Sequence, residues 1–227
     1  LTASDDAAGL SVSVALESQF RGLQMQINNR QDEVSMLQTA EGALSSTGDM
    51  VQRIRELSVQ AANGTLTDDD RKNIQLEVDQ LKQQINQTST NTEYNTKKLL
   101  DGTLSIQLQN GNNLTIAKMD ATNLGLSETQ VTDATLAGSA ISQADQALST
   151  VTSQRSSLGA IANGIAYEVQ NLTNQYINTV AANSRIADVD IASEIIKLTT
   201  SQIQNQAATS VFRSDQALRS KVLQLLS

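Results

Sequence analysis

Residues 141–176 read ISQADQALSTVTSQRSSLGAIANGIAYEVQNLTNQY, and apolar side chains recur along this stretch at alternating intervals of three and four residues. This period of 3.5 places them on one stripe of an α-helix that packs lengthwise against another helix. The members of the stripe are Ile141, Ala144, Leu148, Val151, Leu158, Ala162, Ile165, Val169, Leu172 and Tyr176. The stretch predicts a long helix, which we expect to begin between Thr135 and Ser139.

Three residues interrupt this stripe or weaken its helix. Arg155 is the one charged member, and a polar residue at such a position lowers stability but can fix the register of paired helices. Gly159 and Gly164 each make a helix about 1 kcal/mol less stable than Ala would. We therefore expect another part of the protein to pack closely against the two glycines.

A second stripe of the same period occurs earlier in the chain. Residues 4–6 can cap the start of its helix, and the Asn-Gly pair at 63–64 predicts the end. Arg30, Glu41 and Gly48 interrupt the stripe. Two stripes of this length can cover only each other, so the two helices are predicted to pack antiparallel. The members of the second stripe are Leu16, Phe20, Leu23, Ile27, Val34, Leu37, Leu44, Val51, Ile54, Leu57 and Ala61.

A shorter helix and a β-hairpin are predicted between the long helices. Thr67 and Asp70 have the spacing of a capping box, which opens a helix that should end near residues 91–92. From 104 to 116 the apolar residues alternate with polar ones on both sides of Asn110-Gly111, the pattern of a hairpin. Residues 118–135 are predicted to form a loop.

The last part of the chain has a less regular pattern. Residues 190–227 keep some apolar spacing, but no charged residue occurs from Leu198 to Phe212. A lone helix of this kind is marginal in water, so we expect the tail to become ordered only against a partner.

The composition fits this reading. Aromatic residues are 2% of the 227-residue chain, and proline, the strongest helix breaker, is absent. We predict a mainly α fold, an elongated rod of long antiparallel heptad-patterned helices with one small β-hairpin and a C-terminal helical tail. The domain boundaries are predicted at 1–103 (N-terminal half of the rod), 104–135 (hairpin and loop), 136–186 (C-terminal long helix) and 187–227 (coiled-coil tail).

Several functional classes are excluded by what the chain lacks. It has no His and no Cys, which removes His-dependent triads, thiolate nucleophiles and His-based zinc sites. A net charge of −8 without a basic run argues against nucleic acid. No apolar run is long enough to span a membrane. The carboxylates at 5–6 and 68–70 lie at helix starts and are read as caps. We predict neither an enzyme nor a cofactor nor a metal site.

Separate stretches along the chain resemble bacterial flagellins, in the order that this family has them. The stretch at 52–65, QRIRELSVQAANGT, is a nearly complete match to the most recognisable flagellin segment. The others are residues 3–10, 92–102, 155–160, 183–194 and 222–226. The resemblance implies a structural subunit that polymerises into the flagellar filament for swimming motility. It also implies a further N-terminal helix and larger outer domains, neither of which occurs in this sequence.

The resemblance also implies interaction sites. Positions matching Gln52, Arg53, Leu57 and Glu77 face a neighbouring subunit in flagellins, and in many members they bind the host Toll-like receptor. Further implied partners are copies of the chain itself, an export chaperone on the C-terminal tail, and the filament cap and hook-junction proteins. The implied location is the extracellular filament, after secretion. Because Gln52 and Arg53 fall beside the apolar stripe, we expect their side chains to point outward.

Two alternatives are weighed against this reading. The junction protein between hook and filament shares both terminal motifs, but residues 52–65 fit flagellin better. The helical signalling rod of a chemotaxis receptor has a similar composition, but the predicted hairpin at 104–116 argues against an unbroken pair of helices.

Overall fold

The computed structural model describes residues 7–107, 113–188 and 191–225. Most of them lie in four helices, α1 (Ala7–Ala61), α2 (Asp68–Asn91), α3 (Ala134–Ala187) and α4 (Ile191–Leu225). Four short strands lie between α2 and α3, namely β1 (Glu93–Tyr94), β2 (Lys97–Lys98), β3 (Ser105–Gln107) and β4 (Asn113–Thr115). The predicted mainly helical fold with long helices and a small β-element is confirmed.

The chain divides into two compact units. The larger is Met25–Leu172 and contains most of α1 and α3, all of α2 and the strands. The smaller joins Leu1–Gln24 with Thr173–Ser227.

Within the larger unit, α1 and α3 run antiparallel, as the two stripes predict. Three ion pairs show this direction, because the residue number on α3 decreases as the residue number on α1 increases. The pairs are Arg30–Glu168, Glu41–Arg155 and Arg55–Asp145. Apolar side chains between the helices are almost fully buried; they include Leu44, Val51, Ile54, Leu158 and Ile165. These residues form one continuous core with α2 and the segment that follows it.

The charged residues that interrupt the two apolar stripes all have oppositely charged partners at this interface. Arg155 Nε donates a hydrogen bond of 2.8 Å to Glu41 Oε1. Arg30 is only 3% exposed, and its guanidinium lies 2.7 Å from both Glu33 Oε2 and Glu168 Oε2. The contact with Glu168 is an ion pair without hydrogen-bond geometry. Because an unpaired buried charge is strongly destabilising, its two carboxylate partners explain how Arg30 occupies a buried position in the stripe, whereas Glu41 and Arg155 stay partly exposed.

The N-terminal half of α3 buries only part of the predicted stripe. Ala144 and Val151 are buried as predicted, but Ile141 and Leu148 are only half-buried. Three further small side chains, those of Ala137, Ala140 and Ala147, complete the core face. Along this half of α3 the core also receives side chains from α2 and from residues 116–133. Small side chains at these positions leave room for the side chains of the neighbouring elements.

Both ends of α2 follow the local chemistry of the sequence. The Thr67 hydroxyl accepts from Asp70 N–H at 3.3 Å, and Thr67 N–H donates to Asp70 Oδ2 at 3.0 Å, so the capping box is present. The helix ends at Asn91 with Thr92 as its C-cap, as predicted. By contrast, the cap of α3 was not predicted. Asp133 Oδ1 accepts from the backbone N–H groups of the next turn, at 2.8 and 2.9 Å.

Two antiparallel hairpins follow α2, where the sequence predicts one. The predicted hairpin pairs β3 with β4, with Ile106 opposite Leu114; its Asn110-Gly111 turn lies outside the described residues. The additional hairpin pairs β1 with β2 through a turn at Asn95 and Thr96, whose φ angles are 47° and 66°. Residues 118–133 form a loop, as predicted, but residues 134 and 135 of the predicted loop already belong to α3. The segment from 116 to 133 buries apolar side chains at Ile116, Met119, Ala121, Leu124, Leu126 and Val131.

We expected another part of the protein to pack closely against Gly159 and Gly164. Among the described residues, no such packing occurs, so that prediction is wrong. A Cβ placed on Gly159 or on Gly164 would meet no atom within 4 Å. Both positions are exposed because the apolar stripe of α3 turns away from them.

In the smaller unit, two side-chain contacts join the first part of α1 to the last part of α3. Ser13 Oγ donates to Asn183 Oδ1 at 2.8 Å, and the rings of Phe20 and Tyr176 meet edge to face at 6.1 Å. In α4, every side chain from 195 to 221 is exposed. The exposed apolar residues include Ile195, Ile196, Leu198, Ile203, Val211, Phe212 and Leu218. Among the described residues no helix is long and apolar enough to cross a membrane.

Candidate interaction surface

Three of the four predicted site residues lie on one exposed face of α1 and α2. Arg53 Nε donates to Glu77 Oε1 at 2.8 Å, which joins the two helices. Arg53 Nη1 also lies 3.4 Å from Glu56 Oε2, one turn further along α1. The Arg53 and Glu77 side chains are 49% and 47% exposed, and Gln52 is exposed beside them. Gln52, Arg53, Glu56 and Glu77 are called the α1–α2 charged surface below.

Leu57 does not belong to this surface. Its side chain is 2% exposed and belongs to the hydrophobic core. Leu57 is also a member of the first apolar stripe, and burial between helices is what that position dictates. The structure thus places Leu57 in the core of the chain rather than on its exposed face, and the role of this position in an interface stays a prediction.

The charge of Arg53 is held in place by its acidic neighbours. Hydrogen bonds to Glu77 and then to Glu56 raise the pKa of the guanidinium above its ordinary value. An ion pair between half-exposed side chains contributes only about 0–1 kcal/mol to folding. The arrangement therefore does more to orient a five-donor guanidinium at the surface than to stabilise the chain.

A second ion pair extends this charged face toward α3. Arg55 Nε donates to Asp145 Oδ1 at 2.6 Å, and both side chains are about half-exposed. Arg53 and Arg55 are two positions apart on α1, so one points toward α2 and the other toward α3. The sequence analysis did not find this pair. The antiparallel pairing of the two stripes could have indicated it, because it brings residue 55 opposite the 140s.

The turn that sets α2 against α1 is held by Arg71, which was also missed. Its side chain is buried, and its guanidinium donates to three backbone carbonyls, those of Ala61 at 2.9 Å and of Asn63 and Leu66 at 3.0 Å. The last carbonyl of α1 has no partner within its own helix, and Arg71 supplies one. The position of Glu77 opposite Arg53 depends on this turn.

Comparison with known protein families identifies the chain. Residues 1–105 match the model of the bacterial flagellin N-terminal helical region, and residues 141–226 match that of the bacterial flagellin C-terminal helical region. The chain belongs to the flagellin family.

Individual flagellins agree with this assignment. The chain is 40% identical to a flagellin of Halalkalibacterium halodurans, across 99% of this chain and 86% of the relative. It is 36% identical to a flagellar filament core protein of Brachyspira hyodysenteriae, again across 99% of this chain and 86% of the relative. The crystal structure of Bacillus cereus flagellin is 31% identical and superposes with a TM-score of 0.57, covering 69% of this chain and 94% of that one.

Membership of the flagellin family settles the class of function. The protein is a structural subunit of the bacterial flagellar filament, an extracellular polymer of copies of the subunit that serves motility. The hook–filament junction protein and the chemotaxis receptor rod are not favoured. Flagellins are structural proteins, and the described residues contain no group of three or more His, Cys, Asp or Glu side chains that could hold a metal ion.

Proposed function

We propose that two regions of the chain carry assembly: the α1–α2 charged surface contacts a neighbouring subunit, and α4 buries its apolar side chains against other copies. The observation that carries this proposal is the exposure of α4. Ile203, Val211, Phe212 and Leu218 are each more than 60% exposed, and none is covered by another described element. Burying such side chains contributes about 1.5–3 kcal/mol each, which is available only when another copy covers them.

The α1–α2 charged surface suits the second contact. Arg53 is oriented by hydrogen bonds to two carboxylates and remains half-exposed. A pre-ordered guanidinium loses little side-chain entropy on binding, and Arg is enriched among the residues that dominate interface energies. The neighbouring Gln52 adds an amide that can donate and accept. These features support a polar contact between subunits that is centred on Arg53.

The remaining partners and the route to the filament are also proposed. An exposed apolar helix is an aggregation risk before assembly, so an export chaperone that covers α4 would keep single copies soluble during secretion. The filament cap and hook-junction proteins would meet the same α4 and charged surfaces at the two ends of the polymer. No catalytic activity is assigned to the chain.

Recognition by a host Toll-like receptor is proposed for the same charged surface. It rests on the resemblance of residues 52–65 and on the exposure of Gln52, Arg53 and Glu77. A receptor that binds this surface contacts side chains that filament assembly also needs. Substitutions that evade the receptor would then also weaken assembly.

The experiment compares Arg53→Asp with Lys72→Asp, an exposed cation on α2 that is paired with Asp69. Loss of an interface anchor costs about 2 kcal/mol, roughly a thirtyfold loss of affinity. Arg53→Asp should retain the circular dichroism spectrum of the unchanged chain but reduce seeded filament growth and receptor-reporter activation. The Lys72 control should leave both near normal. Normal filament growth by a folded Arg53→Asp protein would overturn the subunit contact, and normal reporter activation would overturn only the receptor assignment.

A further inference from the structure

We propose that Asn63 is a site of spontaneous modification, at which the side-chain amide is lost and the backbone rearranges to isoaspartate. The chain contains three Asn-Gly pairs, at 63–64, 110–111 and 163–164. Two of them lie among the described residues, and both have exposed side chains. One is in the turn between α1 and α2, and the other is inside α3. The structure assigns the reaction to the first.

The reaction needs no partner other than water. The backbone nitrogen of Gly64 gives up its proton and bonds to Cγ of Asn63, and the Cγ–Nδ2 bond breaks. The departing nitrogen takes a proton and leaves as ammonia. Water then opens the resulting five-membered imide at one of its two carbonyls, which yields aspartate or isoaspartate. The net change is one water consumed and one ammonia released.

Three features of the turn favour this step. Asn63 Oδ1 accepts hydrogen bonds from both Thr65 N–H and Thr65 Oγ1, each at 3.1 Å. These donors stabilise the negative charge that develops on Oδ1 as the nitrogen adds, in the manner of an oxyanion hole. Among the described residues, Gly64 N and Asn63 Nδ2 have no hydrogen-bond partner. The attacking nitrogen and the leaving group are therefore both free.

The Asn-Gly pair in α3 lacks these features. Gly164 lies well inside Ala134–Ala187, where its N–H donates to the carbonyl four residues earlier. To attack Asn163, that nitrogen must leave its helical hydrogen bond and the backbone must leave helical geometry. The cost of one hydrogen bond alone corresponds to about a tenfold slower reaction.

The product would alter the turn that positions the α1–α2 charged surface. The carbonyl oxygen of Asn63 accepts from Arg71 Nη2 at 3.0 Å and from Leu66 N–H at 3.2 Å. Isoaspartate inserts one methylene into the main chain at this residue and adds a carboxylate. The spacing among the three carbonyls that Arg71 binds would change, so an old subunit would differ from a new one at this turn.

The test incubates the full chain at mildly alkaline pH in ¹⁸O-labelled water and follows each Asn-containing peptide by mass spectrometry. Isoaspartate is distinguished from aspartate by an isoaspartyl methyltransferase. Asn63 should incorporate label at least about tenfold faster than Asn163 in the folded protein. In concentrated urea the two rates should become similar, because the two dipeptides are identical. Equal rates in the folded protein would overturn the proposal, as would a difference that persists in urea.

Two variants distinguish the proposed attack of Gly64 N on Asn63 from a faster reaction caused only by a flexible backbone. Thr65→Val removes one donor to Oδ1 and should slow the reaction of Asn63 about threefold to tenfold; an unchanged rate would refute the oxyanion argument. Gly64→Ala should suppress the reaction by crowding the attacking nitrogen. Gly64 has no positive φ, and a Cβ there would meet nothing within 4 Å, so the circular dichroism spectrum should be unchanged. Continued labelling of Asn63 in this variant would contradict the proposed attack by residue 64.

Discussion

Replacing Arg71 with Met would test how much of the fold depends on the turn between α1 and α2. The substitution keeps an apolar stem but removes a charged donor from three backbone carbonyls. The carbonyl of the fully buried Ala61 would lose its partner outright, whereas water can reach the exposed turn near Asn63.

The expected magnitude follows from these differences. A hydrogen bond from a charged group contributes about 1.5–3 kcal/mol where it is buried and less where water can replace it. Loss of one bond of full value and two of reduced value should lower the free energy of unfolding by about 3 kcal/mol. With a urea m-value of about 2 kcal/mol/M, the midpoint of unfolding should fall by about 1.5 M.

The assay is urea unfolding followed by circular dichroism, with amide exchange at Leu66 and Arg71 as a local readout. Lys72→Met is the matched control, because Lys72 is exposed and its ion pair with Asp69 contributes about 1 kcal/mol or less. Arg71→Lys keeps the charge without the planar fork and should lose most of the same stability. If Arg71→Met and the control had the same midpoint, the three carbonyl contacts would not hold the turn.

Other predictions concern pH, the glycines of α3 and the tail. Hydrogen bonds from the side chain and then the backbone of Thr67 hold the pKa of Asp70 below its ordinary value. The resulting stability is present above about pH 4 and lost as the pH falls through the lowered folded-state pKa. Thr67→Ala should therefore narrow the difference in urea midpoint between neutral and acidic solution; an unchanged difference would remove the role of this hydroxyl. Gly159→Ala and Gly164→Ala should each raise the free energy of unfolding by about 0.5–1 kcal/mol, and a lower urea midpoint would contradict the open space around them. Backbone amides of residues 195–221 should exchange rapidly in the isolated chain and slowly in filaments, since no described element covers α4; strong protection in the isolated chain would contradict this.

The parts of the fold that the sequence predicts are those decided by local chemistry or by a long period. The start of α2 follows from the Thr67–Asp70 capping box, and α1 ends two residues before the Asn63-Gly64 pair. The additional hairpin was missed because its turn has no glycine. A β-branched residue such as Thr96 disfavours the positive φ that the structure gives it.

The interaction surface was predictable only in part. The outward direction of Arg53 follows from its place beside the apolar stripe, and the structure confirms it. The pairing of Arg55 with Asp145 joins residues far apart in sequence, so it depends on the register of α1 against α3. No sequence pattern predicts the role of Arg71, because its partners are backbone carbonyls, which every residue has.

The order of charges along the long helices favours one pairing of helices over another. α1 carries a positive, a negative and a positive charge at Arg30, Glu41 and Arg55, and its partners on α3 carry the opposite order. If α1 met a second α1 antiparallel about Glu41, carboxylate would face carboxylate and the flanking arginines would approach each other. Glu41 and Arg55 are about half-exposed, so each opposed pair of like charges would cost about 1 kcal/mol or less. The pairing of α1 with α3 keeps the attractions that a pairing of two α1 helices would lose, so the charge order favours α3 over a neighbour's α1.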